Sequence, residues 1–326
     1  MSTPEATPPA KQSRTDAPTP IPLPRTDLAC EASPTAAPST AGYESTSYRR
    51  DCVSVTRVSV TDKETAALLG RSVGTYVTVH AGQISPYTPE RARLLTEILS
   101  AELRRLAERT LGEPIRRSHR VLVVGLGNAH MTPDALGPET VGQIEVTDVD
   151  PDADTAAPRP PSATVAAIAP GVRTETGIDS SALCKSVAEA FKADLIVAVD
   201  ALAARNRKRL LATVQITDTG IRPGSGIGAR TDALSKETVG RPVLAIGVPT
   251  VADSSALVYD ALKQAGITEG EIRPELRSIL ENGTGYFVSP KDLDVYVPFY
   301  AERIAEAIGI ALRTERPGET RGSIDF

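Results

Sequence analysis

The amino-acid sequence predicts an α/β protein, a three-layer sandwich with a mostly parallel central sheet. Three apolar runs are continuous rather than alternating: VLVVGL at 121–126, LIVAVDAL at 195–202 and VLAIGV at 243–248. Continuous runs are typical of strands buried on both faces, as in a parallel sheet covered by helices. Segments with helical periodicity separate the runs, and this alternation is the pattern of a layered α/β fold.

The first 48 residues predict a mobile tail rather than part of the folded body. They hold nine of the 26 prolines of this 326-residue chain, together with many Thr, Ser and Ala residues. Such a segment buries too little apolar surface to offset the entropy lost on ordering it. Within the tail, RTDLACEA at 25–32 mixes apolar and charged residues, and we expect it to dock on the body as a short helix or turn. We assign 49–314 to a single domain and 315–326 to a flexible C-terminal end.

The body begins with two strands and a long helix. Apolar residues alternate with polar ones over 53–60 and 74–80, and both segments are rich in β-branched residues, which predicts half-buried strands. An apolar stripe predicts a helix over 89–111, with Pro89 in its first turn and Gly112 closing it. Further along the chain we predict helices over 180–192, 254–265 and 298–313, and a strand over 214–220.

The composition argues against several classes of function. With 36 basic and 41 acidic side chains the net charge is −5, which disfavours direct binding to a nucleic-acid backbone. Aromatic residues make up 4% of the chain and Trp is absent, which disfavours a stacking platform for bases. Cys30, Cys52 and Cys184 are too few for a disulfide framework or a metal knuckle. Because the chain has neither an 18-residue apolar run nor a secretory leader, we expect no membrane span and a cytoplasmic location.

Two acidic residues follow predicted strands, at the sheet edge where ligands bind in open α/β folds. Asp134 lies in the turn after the strand at 121–126, and Asp200 directly follows LIVAV. Each has a plain structural interpretation. Asp134 is explained as a helix-start carboxylate in a turn capped by Thr132, and Asp200 as a buried acid held by backbone amides or by Arg205.

Together, however, the two aspartates indicate a carboxylate pair. Neighbouring carboxyls push their pKa values apart, so that one holds a proton while the other acts as a base. Such a pair can activate water against an amide carbonyl and protonate the leaving nitrogen. The same two acids could instead hold a metal ion.

Two glycine-rich stretches are weaker indications of a binding site. GLGN at 125–128 fails the dinucleotide fingerprint GxGxxG, because the last glycine position is His130. PGSGIG at 223–228 has no GK[ST] ending, so we interpret it as a turn that brings the backbone close to a substrate rather than as a phosphate loop. From position alone, we assign substrate binding to Thr132, Arg205, Gly224, Ser225 and Gly226.

The motifs around these residues resemble those of the germination protease family of bacterial endospores. The resemblance keeps the family order over about residues 25–313 and is specific. It includes RTDLACEA, GLGNAHMTPDALGP, APGVRTETGID at 169–179, IVAVDALAAR, TVQITDTGIRPGSGIGAR at 213–230, VLAIGVPTVAD at 243–253 and VSPKDLD at 288–294.

This resemblance implies a phosphorylase/hydrolase-like fold, shared with hydrogenase maturation proteases. It implies an atypical aspartic endopeptidase without a cofactor, in which Asp134 and Asp200 are the essential acids. The implied substrates are small acid-soluble spore proteins, which are degraded in the spore core at the start of germination. The resemblance also implies a homotetramer, and a zymogen that removes a short N-terminal propeptide by self-cleavage. The segment before Arg25 fits such a propeptide.

Three features depart from the family pattern. The Pro-, Ala- and Asp-rich stretch at 148–161 is shorter than in many relatives, which predicts a difference in specificity or assembly. His130 stands where many relatives have Asn, so we do not assign it a catalytic role. The tail is unusually rich in Pro and Thr, so the processing site is not predicted.

Two other classes of function stay open. One is a metal-dependent maturation-type peptidase on the same fold, in which the two acids and a histidine hold a divalent ion. No histidine follows His130 to act as a ligand from a later strand, which weakens this hypothesis. The other is a non-catalytic nucleotide-binding protein.

Overall fold

The fold is built on one mixed β-sheet. In the computed structural model, which describes residues 27–28, 42–82, 85, 88–147, 161–224, 231–281 and 286–314, this sheet has nine strands. The strands are β1 (Tyr43–Arg50), β2 (Val53–Val60), β3 (Gly74–His80), β4 (Arg120–Gly125), β5 (Thr164–Ile168), β6 (Leu195–Ala204), β7 (Thr213–Thr217), β8 (Val243–Asp253) and β9 (Phe287–Val288). Their order across the sheet is β1-β2-β3-β7-β8-β6-β4-β5, and β9 pairs with the end of β8.

Helices fill the connections between the strands. They are α1 (Lys63–Leu69), α2 (Pro89–Leu111), α3 (Leu136–Val141), α4 (Arg173–Thr176), α5 (Ser180–Phe191), α6 (Lys236–Val239), α7 (Ser254–Gln264), α8 (Pro274–Glu281) and α9 (Leu293–Ala311), with short 3-10 turns at Thr132–Asp134, Arg207–Arg209 and Glu269–Glu271. Within the described ranges, none of these helices combines the length and the apolar content needed to cross a lipid bilayer.

The α/β class is confirmed, but the prediction of a mostly parallel sheet was wrong. Strands β8, β6, β4 and β5 are parallel to one another, whereas β1, β2, β3, β7 and β8 form an antiparallel series. Two short connections account for part of this difference, because a parallel pair needs a crossover of a dozen or more residues. Only two residues join β1 to β2, and eight residues join β6 to β7, so neither connection can carry a crossover helix.

Several predicted elements are confirmed with the same bounds. The strands predicted over 53–60 and 74–80 are β2 and β3, and the helix predicted over 89–111 is α2. The helices predicted over 180–192 and 254–265 are α5 and α7, each one residue shorter at its C-terminal end.

Other element boundaries differ from the prediction. β1 includes residues 43–48, which the sequence places in the tail, because this exposed, polar strand is held by its pairing with β2 rather than by burial. The last helix begins at Leu293 instead of 298, because Leu293 and Val297 are buried and extend its apolar face past Pro298. The predicted C-terminal end at 315–326 and most of the predicted tail lie outside the described residues.

The two faces of the sheet carry separate cores. Side chains alternate along each strand, so Val121 belongs to the larger core, which α2, α3 and α9 cover, while its neighbour Leu122 belongs to the smaller core beneath α5 and α6. Ile196 of β6 lies in the smaller core. Because Asp200 is four residues further along the same strand, it lies on that second face.

A buried carboxylate ties the antiparallel half of the sheet to α2. Only 2% of the Glu102 side chain is exposed, and its oxygens accept hydrogen bonds from the Arg57 guanidinium at 2.5 Å and from the Tyr48 hydroxyl at 3.0 Å. The Arg57 guanidinium also lies over the Tyr48 ring, 5.0 Å from its centroid.

We expect Glu102→Gln to lower the free energy of unfolding by about 2–4 kcal/mol, because it removes a buried charge and leaves its two partners, Arg57 and Arg105, without it. The matched control is Glu97→Gln. Glu97 lies on the same helix as Glu102 and pairs with Arg50 of β1, but its side chain is 43% exposed. This change should therefore cost less than about 1 kcal/mol. Urea unfolding of both variants measures the difference, and equal losses would contradict the assignment of Glu102 to the core.

Candidate active site

Adjacent ends of β4 and β6 bring the two predicted aspartates to one place. Gly125, the last residue of β4, is in register with Val199 of β6, and the next backbone N–H, that of Leu126, donates to the Val199 carbonyl at 2.8 Å. Asp200 is therefore the first residue of β6 beyond its pairing with β4. It lies where the chain leaving β4 turns away from the sheet.

The chain that leaves β4 returns to this point through a short 3-10 turn at Thr132–Asp134. The backbone N–H of Asn128 donates to Oδ2 of Asp134 at 2.8 Å, which ties the carboxylate to the start of the loop. The buried Thr250 of β8 donates its hydroxyl to the Pro133 carbonyl at 2.6 Å. One bond thus holds the Asp134 carboxylate, and the other holds the backbone of the turn that carries it.

Gly127 is needed for this loop to close on Asp134. Its φ is +111°, a conformation that residues with a Cβ rarely adopt. A Cβ at this position would lie 2.0 Å from the Asp134 carbonyl oxygen and 3.0 Å from its Oδ1. Gly127 of GLGN therefore allows the close approach of two loop segments.

Asp200 is 4% exposed, and its carboxyl has a pKa raised well above the usual range. Burial is the largest cause, because it disfavours the charged form. The negative charges of Asp134 and Asp27 raise the pKa further, and a hydrogen bond from the Ala201 backbone opposes them. Asp200 therefore tends to hold a proton where an ordinary aspartate is ionised.

The pKa of Asp134 is raised as well, again mainly by burial. The hydrogen bond from the Asn128 backbone lowers it, and the charge of Glu175 in α4 raises it. The charge of Asp134 is also one cause of the raised pKa of Asp200, so the two carboxyls interact, as those of an acid–base pair do. Such a pair supplies a general base and a general acid in one site.

A third aspartate approaches the pair from the N-terminal segment. The Asp27 N–H donates to the Ala203 carbonyl at 3.0 Å, and Oδ2 of Asp27 accepts from the Ala203 N–H at 2.8 Å. Leu28 is fully buried beside Leu202 and Leu210. The prediction that residues 25–32 dock on the body is confirmed for Asp27 and Leu28, while the other six residues lie outside the described ranges.

Comparison with protein-family models matches residues 31–268 to the model described as germination protease. The chain belongs to the germination protease family. A germination protease of Clostridium perfringens is 35% identical over 285 residues, which cover 80% of this chain and 85% of the relative. One from Clostridium tetani is 32% identical over 317 residues, covering 89% and 95%. One from Geobacillus sp. is 40% identical over 216 residues, covering 65% and 56%.

Membership of the germination protease family makes the chain a peptidase of spore germination. The family match spans both Asp134 and Asp200, and it begins at residue 31, just after the docked Asp27 and Leu28. The resemblance inferred from the sequence motifs is therefore confirmed.

The residues assigned to substrate binding have different positions in this germination protease. Thr132 begins the 3-10 turn of Asp134, but no side-chain hydrogen bond caps that turn, so its predicted capping role was wrong. Arg205 follows β6, roughly 16 Å along the extended chain from Asp200. Gly224 has a φ of +67°, as a turn residue requires, whereas Ser225 and Gly226 lie outside the described residues.

In the part of the chain that the structure describes, no three His, Cys, Asp or Glu side chains come together closely enough to hold a metal ion. The described donors at the aspartate pair therefore do not form the two-acid-and-histidine set of a maturation-type peptidase. His130 is exposed on the loop that carries Asp134.

Sequence reasoning missed two residues that contact the docked N-terminal segment. Arg71 follows α1, and Gln215 lies in β7 on the face of the sheet that carries Asp200. No motif marks either residue, because each is brought to the site by tertiary contacts across the sheet. A helix end closed by Gly70, which has a φ of +60°, was the one local pattern that could have placed Arg71.

Proposed function

We propose that this chain is an aspartic endopeptidase in which Asp134 and Asp200 act as one acid–base pair. The observation that carries the proposal is the approach of two carboxyls: Asp200 is buried in β6, and Asp134 is half-buried in the turn after β4. Both have a raised pKa, and the charge of Asp134 is one cause of the shift at Asp200. Buried carboxylates are rare unless paired or functional, and pairs with separated pKa values supply acid and base at once.

In the proposed reaction, the ionised carboxylate of the pair removes a proton from water. The water oxygen forms a bond to the carbonyl carbon of the scissile amide, and the π electrons of the carbonyl move to the amide oxygen. The protonated carboxyl then donates its proton to the amide nitrogen, the carbon–nitrogen bond breaks, and a carboxyl and an amine leave. The proton taken from water restores the pair to its starting charge.

We propose further that the chain is a zymogen, and that it removes its own N-terminal propeptide. The support is the position of Asp27 and Leu28, which lie against β6 with the Asp27 charge close enough to affect the pKa of Asp200. The N-terminal segment thus reaches the acid–base pair within the same chain. Mass spectrometry of the purified protein should show a defined N-terminal truncation in the wild type and none in Asp134→Asn.

The proposed substrates are the small acid-soluble spore proteins, cleaved in the spore core by a homotetramer of this chain. The relatives are named germination proteases, which supports a role at this stage. The net charge of −5 fits an enzyme that acts on DNA-coating proteins rather than on DNA itself. Incubation of the purified chain with one such protein should give a few large fragments, and sedimentation should give a mass of four chains.

We expect the rate of cleavage to follow a bell-shaped pH profile. The raised pKa of Asp200 keeps one proton on the pair at a pH where ordinary aspartates, with a pKa of about 3.9, are ionised. The rate should fall as pH rises through the upper pKa of the pair, because the proton donor is lost. It should also fall at acid pH, where the base is protonated. Initial rates from about pH 4 to about pH 9 test this, and a flat profile would contradict the acid–base assignment.

A further inference from the structure

Beyond β4, one edge of β6 has no neighbouring strand in the described sheet. β4 ends at Gly125, in register with Val199, whereas β6 continues to Ala204 and stays paired with β8 on its other side. The backbone N–H and carbonyl of Ala203 face the side that β4 has left, where both bond to Asp27. This edge therefore binds the N-terminal segment three residues from Asp200, through one bond to the Asp27 backbone and one to the Asp27 carboxylate.

Two side chains outside β6 hold the carbonyls of the segment that lies there. Arg71 donates from Nη1 to the Asp27 carbonyl at 3.2 Å and from Nη2 to the Leu28 carbonyl at 2.8 Å. Gln215 donates from Nε2 to the Asp27 carbonyl at 3.4 Å. Contacts of this kind are made to the backbone and so are open to any extended peptide, whatever its side chains.

The position of Arg71 is set by the body of the protein and not by the segment. Gly70 ends α1 in the left-handed conformation, and the Arg71 N–H then donates to the Ala66 carbonyl at 2.9 Å. The backbone from which the guanidinium reaches the segment is thereby fixed by the body of the protein. A forked, permanently charged donor that bridges two successive carbonyls fixes both the position and the direction of a chain.

The edge opens into a large cleft. The cleft has a volume of about 1030 Å³, and its lining includes Asp27, Arg71, Leu202 and Gln215. It lies on the face of the sheet that carries Asp200. A cleft of this volume has room for several peptide residues beside the bond to be cut, while Asp134 and Asp200 lie outside its lining.

We propose that the Ala203 edge of β6, together with Arg71 and Gln215, is the peptide-binding surface of the enzyme. A substrate segment adds to this edge as an extended strand, in the place that Asp27 and Leu28 occupy in the intact chain. Arg71 and Gln215 are positioning residues, which hold the substrate backbone so that the next peptide bonds meet Asp134 and Asp200. This assignment rests on the proposed peptidase function of that site.

The proposal is tested by peptide binding to the full chain with Asp200→Asn in every variant, so that nothing is cleaved. The probe is a fluorescein-labelled peptide with the sequence of residues 22–33 and serine in place of Cys30, followed by fluorescence anisotropy. Leu28→Asp is added to release the chain's own segment, because a carboxylate does not fit the buried Leu28 site.

We expect Leu28→Asp to tighten peptide binding by about tenfold or more, because a tethered segment competes at roughly millimolar effective concentration. On that background, Arg71→Ala should weaken binding by about 10- to 100-fold and Gln215→Ala by about two- to tenfold. The affinity of Arg71→Lys for the peptide should lie between that of the protein with Arg71 and that of Arg71→Ala, since one ammonium cannot bridge two carbonyls as a guanidinium does. Arg93→Ala is the control, at an arginine on α2 whose side chain is 80% exposed.

Either of two results would overturn the proposal: unchanged peptide affinity on Leu28→Asp, or equal affinity in the Arg71→Ala and Arg93→Ala variants. Kinetics with Asp200 restored give a second readout. A positioning role predicts that Arg71→Ala raises KM for a small acid-soluble spore protein by at least about tenfold, with a smaller change in kcat and an unchanged melting temperature. A purely structural role would lower the melting temperature and leave KM unchanged.

The two proposals fail in distinguishable ways. Binding of the probe does not require hydrolysis, so loss of the acid–base assignment would leave the effects of Leu28→Asp and Arg71→Ala on anisotropy intact. Conversely, if Asp134 and Asp200 prove essential for cleavage while Arg71 does not affect binding, the peptidase mechanism stands and the binding surface is elsewhere.

Discussion

Replacing Asp200 by Asn is expected to reduce kcat/KM for protein cleavage by about 10³-fold or more, and Asp134→Asn should do the same. Asn keeps the shape of the side chain but can neither release nor take up the catalytic proton. Asp134→Asn also removes a charge that raises the pKa of Asp200. The remaining acid in Asp134→Asn should therefore titrate closer to an ordinary aspartate.

The stability of Asp200→Asn separates lost chemistry from lost folding. A raised pKa means that folding favours the protonated form of Asp200, so this contribution to stability fades as pH rises from the unfolded-state pKa through the folded-state pKa. At neutral pH the buried carboxyl of Asp200 therefore costs stability, whereas an Asn side chain, which is neutral at every pH, does not. We expect Asp200→Asn to melt at the same temperature as the wild type or higher at pH ~7 and to lose this advantage at pH ~3.

The control for both changes is Asp51→Asn. Asp51 is an exposed aspartate in the turn between β1 and β2 with a φ of +52°, a conformation that Asn tolerates equally well. The Asp51→Asn variant should cleave substrate at the same rate as the wild type. Full activity in either Asp134→Asn or Asp200→Asn would remove the pair from the mechanism.

Gly127→Ala is expected to have the second-largest effect, with activity reduced by about 100-fold or more and the free energy of unfolding lowered by about 3 kcal/mol. The added Cβ would meet the Asp134 carbonyl oxygen at 2.0 Å, and this contact is to backbone, which cannot rotate away. Relief requires the 3-10 turn to move, and the turn carries the Asp134 carboxylate. Small displacements of a catalytic group have large effects on rate.

Gly112→Ala separates the cost of backbone conformation from the cost of the steric clash. Gly112 closes α2 with a φ of +77°, and a Cβ there would meet nothing within 4 Å. This change should cost about 1 kcal/mol of stability without affecting cleavage. If Gly127→Ala behaved like Gly112→Ala in both assays, the close approach of the two loop segments would not matter for catalysis.

The candidate catalytic residues were accessible from sequence because local patterns placed them. Continuous apolar runs located β4 and β6, and a strand that ends in a carboxylate indicates a site at that sheet edge. The pairing of β7 with β3 and β8 could not be predicted from the sequence. Whether two neighbouring strands are parallel or antiparallel depends on connection lengths and on contacts between residues far apart in the chain. For the same reason, Arg71 and Gln215 carried no local pattern that could join them to Asp27.

The polar strand β1 shows a second limit. Residues 43–48 have the composition of a solvated tail, and their side chains are mostly exposed. They are ordered by a ladder of backbone hydrogen bonds to β2, which no side-chain pattern records. Burial is what hydrophobic periodicity detects, so an exposed edge strand held mainly by its backbone ladder escapes it.

The hydrogen bond between Asp27 and Ala203 joins residues 176 positions apart, which has a consequence for the order of events on the ribosome. At ~5–20 residues per second, Ala203 is synthesised roughly 9–35 s after Asp27. Throughout that interval the N-terminal segment has been made and its docking edge has not. Asp134 precedes that edge as well, so the nascent chain cannot assemble a working site until β6 has been translated and folded.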